Sequence, residues 1–128
     1  MLRRFFVILP YSICVLFFLL YSILSVVRHL HFGSFGFDLG IADQIVWKYS
    51  QFKAPITTIQ FFPFTLLLSD HVELIYILLS PFYWIFNSPI TLLVLQAAFV
   101  GLSGIPVFWL ARDKGARYSV SIAILISY

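Results

Sequence analysis
Twenty-three residues, Phe5 to Val27, pass without a charge before Arg28 interrupts them. A helix rises about 1.5 Å per residue and the hydrocarbon core of a bilayer is about 30 Å thick, so this run predicts a transmembrane helix over residues 5–27. Pro10, one turn in, predicts a mild kink, which a helix in lipid tolerates. Arg3 and Arg4 imitate the basic start of a secretory signal, but a signal core is about 7–15 residues long and ends at a small-residue cleavage site. The run here is longer and has no such site, so it reads as a retained span.

A second uncharged stretch extends from Leu74 to Ala111 and is divided by Asn87-Ser88-Pro89, where Ser88 suits a helix N-cap and Pro89 a first helical position. Pro89 to Ala111 is again 23 residues and predicts a second span over 89–111. Leu74 to Phe86 has 13 residues with Pro81 among them. That is short of the roughly 17–25 a span needs and in the range of a re-entrant or interfacial segment. A third apolar segment starts near Tyr118 and reaches Tyr128, the start of a truncated third span over 118–128. The chain therefore reads as the N-terminal part of a longer multi-pass protein.

Charge placement orients these elements. Arg3 and Arg4 put the N-terminus in the cytoplasm. If Leu74–Phe86 crossed the membrane, Arg112, Lys114 and Arg117 would join Arg28, Lys48 and Lys53 outside, leaving two of the eight basic residues inside. If it lies at the interface, five are inside and three outside, which obeys the positive-inside rule. The expected order is a first span, an external loop over 28–88, a second span, a cytoplasmic loop over 112–117 and the start of a third span. Composition agrees: 62% of residues are hydrophobic and 10% charged, against about 25% charged in soluble domains. Such a chain cannot clothe a soluble surface. The single cysteine, Cys14, forms no internal disulfide and reads as a small buried hydrophobe.

The external loop holds all three histidines and four of the five acidic residues, Asp38, Asp43, Asp70 and Glu73. Leu39, Ala42, Ile45, Val46 and Tyr49 recur at helical spacing, with Asp43, Trp47 and Lys48 off the stripe. They predict a short amphipathic helix over about 39–50 that begins at Asp38 and lies in the membrane interface. Asp38 reads either as the N-cap of that helix or as a functional carboxylate. Asp70 followed by Glu73 and an apolar run is close to a capping box and predicts a second interfacial helix over about 71–86. Read for function, Asp43, Asp70, His71 and Glu73 are candidate substrate-binding groups beside Asp38, and oxygen and imidazole donors of this kind suit a divalent cation. Their spacing is no metal signature. His29 and His31, at the exit of the first span, read as polar anchors.

Phe37-Asp38-Leu39-Gly40-Ile41-Ala42-Asp43-Gln44 with Trp47, then Asp70-His71 and Ser80-Pro81-Phe82-Tyr83, resembles a family of prokaryotic membrane proteins, domain of unknown function 2079. Ser88-Pro89-Ile90-Thr91-Leu92-Leu93, Leu95-Gln96-Ala97, Pro106 and Leu110-Ala111-Arg112 fit the same pattern, so the resemblance covers Ser34 to Arg112. That family is similar to the GT-C glycosyltransferases, in which an acidic residue follows the first span and juxtamembrane helices line the first external loop. The resemblance implies an all-α integral membrane fold, a polytopic helical bundle of GT-C-like layout with interfacial juxtamembrane helices. It further implies a glycosyltransferase of the plasma membrane using a polyprenyl-phosphate-linked sugar, with Asp38 as general base or cation ligand. Its partners would be the lipid bilayer and that lipid-linked sugar, with no nucleic acid. The rivals are a transporter or channel subunit, which ionisable residues within the spans would favour, and a non-catalytic structural or assembly component. Neither uncharged run supplies an ionisable residue of that kind.

Overall fold
The computed structural model describes residues 2–58, 65–66 and 74–128. In chain order it contains α1 (Leu2–Leu30), α2 (Gly36–Ser50), the strands β1 (Ile56–Thr57) and β2 (Thr65–Leu66), α3 (Ile75–Leu79) running into a 3-10 segment (Ser80–Trp84), α4 (Pro89–Asp113) and α5 (Tyr118–Ser127). Two stretches, Phe6–Leu30 and Pro89–Asp113, are long and apolar enough to cross a membrane. Both leave many apolar side chains exposed, among them Ile8, Leu16, Ile23 and Leu24 on α1 and Phe99, Leu102 and Leu110 on α4. A helix apolar all round and uncovered by protein suits lipid rather than water.

The chain divides into two compact units, Met1–Val26 with Val94–Tyr128, and Val27–Leu93. In the first, Trp109 donates its indole N–H to the Tyr11 hydroxyl (3.3 Å), Cys14 meets Phe108, and Phe18 meets Gly101. Residue numbers fall along α4 as they rise along α1, so the two helices are antiparallel. α5 runs back beside them: the Tyr118 ring packs edge-on against Phe6 (4.9 Å) and Phe108 (5.8 Å), and Leu125 reaches Gly104. The buried centre is Cys14, Phe108 and Leu125, ringed by Ile13, Ile105, Tyr118 and Ile122. Gly101 sets the close approach, since a Cβ there would stand 2.9 Å from the backbone nitrogen of Phe18. Small residues at such contacts let membrane helices touch backbone to backbone.

The second unit departs from the sequence expectations in three places. α2 begins at Gly36, with extended Phe35 before it and no side-chain cap, so Asp38 lies in the first turn and is not the N-cap. There its charge still complements the helix dipole. The segment expected as one helix over 71–86 is, within its described part, five residues of α-helix followed by a 3-10 segment. Pro81 is the cause: it has no N–H to give the Ile77 carbonyl and its ring clashes there. The Ser80 hydroxyl donates to that carbonyl instead (2.8 Å). The all-α expectation also missed a two-residue antiparallel pair, Ile56 opposite Leu66 and Thr57 opposite Thr65. The run Ile56-Thr57-Thr58-Ile59 has the β-branched character that favours a strand.

Three helices end in the same way. The amide of Gly33 donates to Arg28 O (2.8 Å), that of Lys53 to Lys48 O (2.9 Å), and that of Ala116 to Ala111 O (3.0 Å). Each bond closes a Schellman turn whose preceding residue is left-handed: Phe32 (φ 57°), Phe52 (φ 55°) and Gly115 (φ 83°). Glycine takes that conformation without strain, whereas a side chain costs roughly 1–2 kcal/mol. The turns nonetheless form at two phenylalanines and leave Phe32 96% and Phe52 88% exposed.

Candidate functional site
The polar residues of the string 37–44 fall into two groups once α2 is folded. Asp43 faces the 3-10 segment, where the Tyr83 hydroxyl donates to its carboxylate (2.5 Å). Tyr83 is only 4% exposed and packs with Val46 and Leu92 in the core of this unit, with Leu39, Ala42, Trp47, Tyr76 and Leu79 around them. Burial raises the Tyr83 phenol well above its usual range, and the hydrogen bond and negative charge of Asp43 raise it further. It is a fixed donor, not an acid. Gln44 uses both ends of its amide on Thr58, accepting from its backbone N–H (3.0 Å) and donating to its hydroxyl (3.0 Å). Asp43 and Gln44 thus tie α2 to its neighbours.

Asp38 differs from both. It is exposed on the first turn of α2 and has no hydrogen-bond partner among the described residues. α2 is continuous through Gly40, and five positions are about 140° of rotation on a helix of 3.6 residues per turn. Asp38 and Asp43 therefore point to different sides and do not converge on one atom. The other candidates, Asp70, His71 and Glu73, lie outside the described residues. Among the described residues no three His, Cys, Asp or Glu side chains gather as a cation site would need. Near the end of α1, Arg28 donates to Gly33 O (2.6 Å) and His29 pairs with Ser34 (2.9 Å), local bonds that hold the turn into α2.

Sequence reasoning missed two features. One is Tyr83, whose role as a partner is visible only once α2 and the 3-10 segment meet. The other is the double character of the segment 74–86. Tyr76, Leu79 and Tyr83 pack toward α2 at helical spacing, while Leu74, Ile75, Leu78 and Ile85 are exposed. The stripe on α2 is real, with Ile45 and Val46 fully buried, but it packs on protein, and Trp47, read as off the stripe, packs with it.

Long apolar helices uncovered by protein, joined by a loop unit with an apolar outer face, define a helical membrane protein. The chain belongs to the family described as predicted membrane protein (DUF2079), which matches residues 28–128. No curated protein and no solved structure matches it.

Proposed function
We propose that the chain is the N-terminal part of a plasma-membrane glycosyltransferase that takes its sugar from a polyprenyl-phosphate donor. The reading starts from the similarity of this family to the GT-C enzymes. One observation carries it: of the carboxylates described in the loop unit, Asp43 is engaged in the fold and Asp38 is exposed, with no hydrogen-bond partner among the described residues. Asp38 also stands eight residues after the last residue of α1, a short tether to the first span of this reading. In the reaction, the acceptor hydroxyl oxygen attacks the anomeric carbon while the Asp38 carboxylate takes its proton. The bond from that carbon to the phosphate oxygen breaks, and polyprenyl phosphate leaves. A positioned base of this kind contributes about 10²–10⁴-fold. The N-terminus is cytoplasmic in this reading, the loop unit is external, and its helices border the path of the lipid donor.

A second reading, a non-catalytic structural or assembly component, is favoured by Asp43, whose carboxylate braces the fold. Assay of the full-length protein with a panel of polyprenyl-phosphate sugars separates the two. Asp38→Asn should lower transfer by about 10²–10⁴-fold with expression and folding unchanged. Indifference of an active protein to Asp38→Asn removes the carboxylate from the chemistry, and absence of any lipid-sugar binding favours the non-catalytic reading.

A further inference from the structure
At the C-terminal end of α2 the left-handed turn at Phe52 does three things. It bonds the Lys53 amide to Lys48 O (2.9 Å), and the two ammonium groups stand 5.8 Å (Lys48) and 5.1 Å (Lys53) from the centre of the Trp47 ring. It turns the Phe52 ring outward, where its centroid lies 6.1 Å from that of Trp84. It also leaves both lysines without a carboxylate partner among the described residues. Trp84 is held in place by its indole N–H, which donates to Ser50 O (2.7 Å), and the chain continues into exposed Ile85 and Phe86. The result is a patch that is cationic on one side and aromatic on the other.

The covalent chain limits how far this patch can stand from the start of α4. Phe86 accepts a hydrogen bond from the Thr91 hydroxyl in the first turn of α4 (2.6 Å), so it abuts the end of a candidate span. Trp84 is five residues before Pro89, a reach of at most about 18 Å even if extended. A spanning α4 puts the headgroup layer within that reach. Aromatic rings concentrate there, and lysine stems lie along apolar surface with the ammonium among phosphates.

We propose that this patch binds the phosphate headgroups of anionic bilayer lipids, with Lys48 and Lys53 on phosphate and Phe52, Trp84, Ile85 and Phe86 in the interfacial layer. Phe52 then has a reason to occupy a conformation glycine would take more easily: only a large ring thrown outward reaches the lipid. The inference depends on α4 crossing the membrane and on no catalytic activity, so its failure leaves the proposed function standing.

The test uses the full-length protein with Trp109 and every tryptophan outside residues 1–128 changed to Phe, so that the indoles left, Trp47 and Trp84, both belong to the patch. It is reconstituted in vesicles of about three parts phosphatidylcholine to one part phosphatidylglycerol, with bromine on the acyl chains of one lipid or the other. A lysine near an anionic surface favours it by about fivefold, so brominated phosphatidylglycerol should quench at least about twofold more per lipid than brominated phosphatidylcholine. Lys48→Gln with Lys53→Gln should make the two equal, whereas Lys48→Arg with Lys53→Arg, or Lys114→Gln, should keep the preference. Equal quenching in the parent chain overturns the proposal, as does a preference that survives the double glutamine variant. A preference erased by inorganic phosphate at constant ionic strength assigns the site to free phosphate and also overturns it.

Discussion

The bond between Tyr83 and Asp43 spans 40 residues of sequence and joins a buried donor to a half-buried charged acceptor. The two partners should therefore not be equivalent. Asp43→Ala leaves the Tyr83 hydroxyl, on a residue only 4% exposed, without its acceptor. It loses a charge-assisted bond and strands a buried donor, at a cost of about 2–4 kcal/mol. Tyr83→Phe strands nothing, because the Asp43 carboxylate turns to solvent, and it should cost about 1 kcal/mol. The double variant should be no worse than Asp43→Ala, giving a coupling of about 1–2 kcal/mol. Asp43→Asn keeps an acceptor but loses the charge, and should lie between wild type and alanine. The assay is thiol labelling at Val46→Cys in a Cys14→Ala background, since Val46 is fully buried in the same core. Where opening is fast and labelling slow, a loss of 2 kcal/mol speeds labelling about thirty-fold. Additive effects, with coupling below about 0.5 kcal/mol, would show that Asp43 does not hold the phenol.

Three further outcomes follow from the same geometry. Because the Tyr83 phenol is raised in the folded state, its stabilising effect is whole below the unfolded value of about pH 10 and is lost as pH rises through the folded one; a denaturation midpoint followed upward from about pH 9 should fall in wild type beyond the fall seen in Tyr83→Phe. Gly101→Ala places a Cβ 2.9 Å from the Phe18 backbone and should destabilise the α1–α4 contact by about 1–3 kcal/mol, seen as faster labelling of buried Cys14 in detergent. With Cys14 replaced, cysteines at Lys53 and Lys114 should react with an impermeant reagent from opposite sides of the membrane, and reaction from one side would mean that the segment 74–86 crosses.

The membrane character of this chain is written in length and composition, because a bilayer asks only for about 20 apolar residues in a row and is indifferent to their order. Hence Phe5–Val27 and Pro89–Ala111 read correctly as helices, and Ser88-Pro89 marks the start of α4. The stripe from Leu39 to Val46 was equally legible, since a helical period exposes which side must be covered. What covers it was not. Burial on α2 is satisfied by Tyr83 and Leu92, some 40 residues away, and no local pattern selects between that partner and lipid. The same distance hid the division of labour between two acidic residues: Asp38 and Asp43 look alike along the chain, and only the placement of the Tyr83 hydroxyl makes one a brace and leaves the other without a partner among the described residues. The helix ends carry the last lesson. Glycine announces a left-handed turn at Gly115, but at Phe32 and Phe52 the turn is imposed by the carbonyls it satisfies and the path the chain must take, against the preference of the residue itself. Local propensity is worth about a kilocalorie per residue, and tertiary bonds and burial outweigh it wherever several act together.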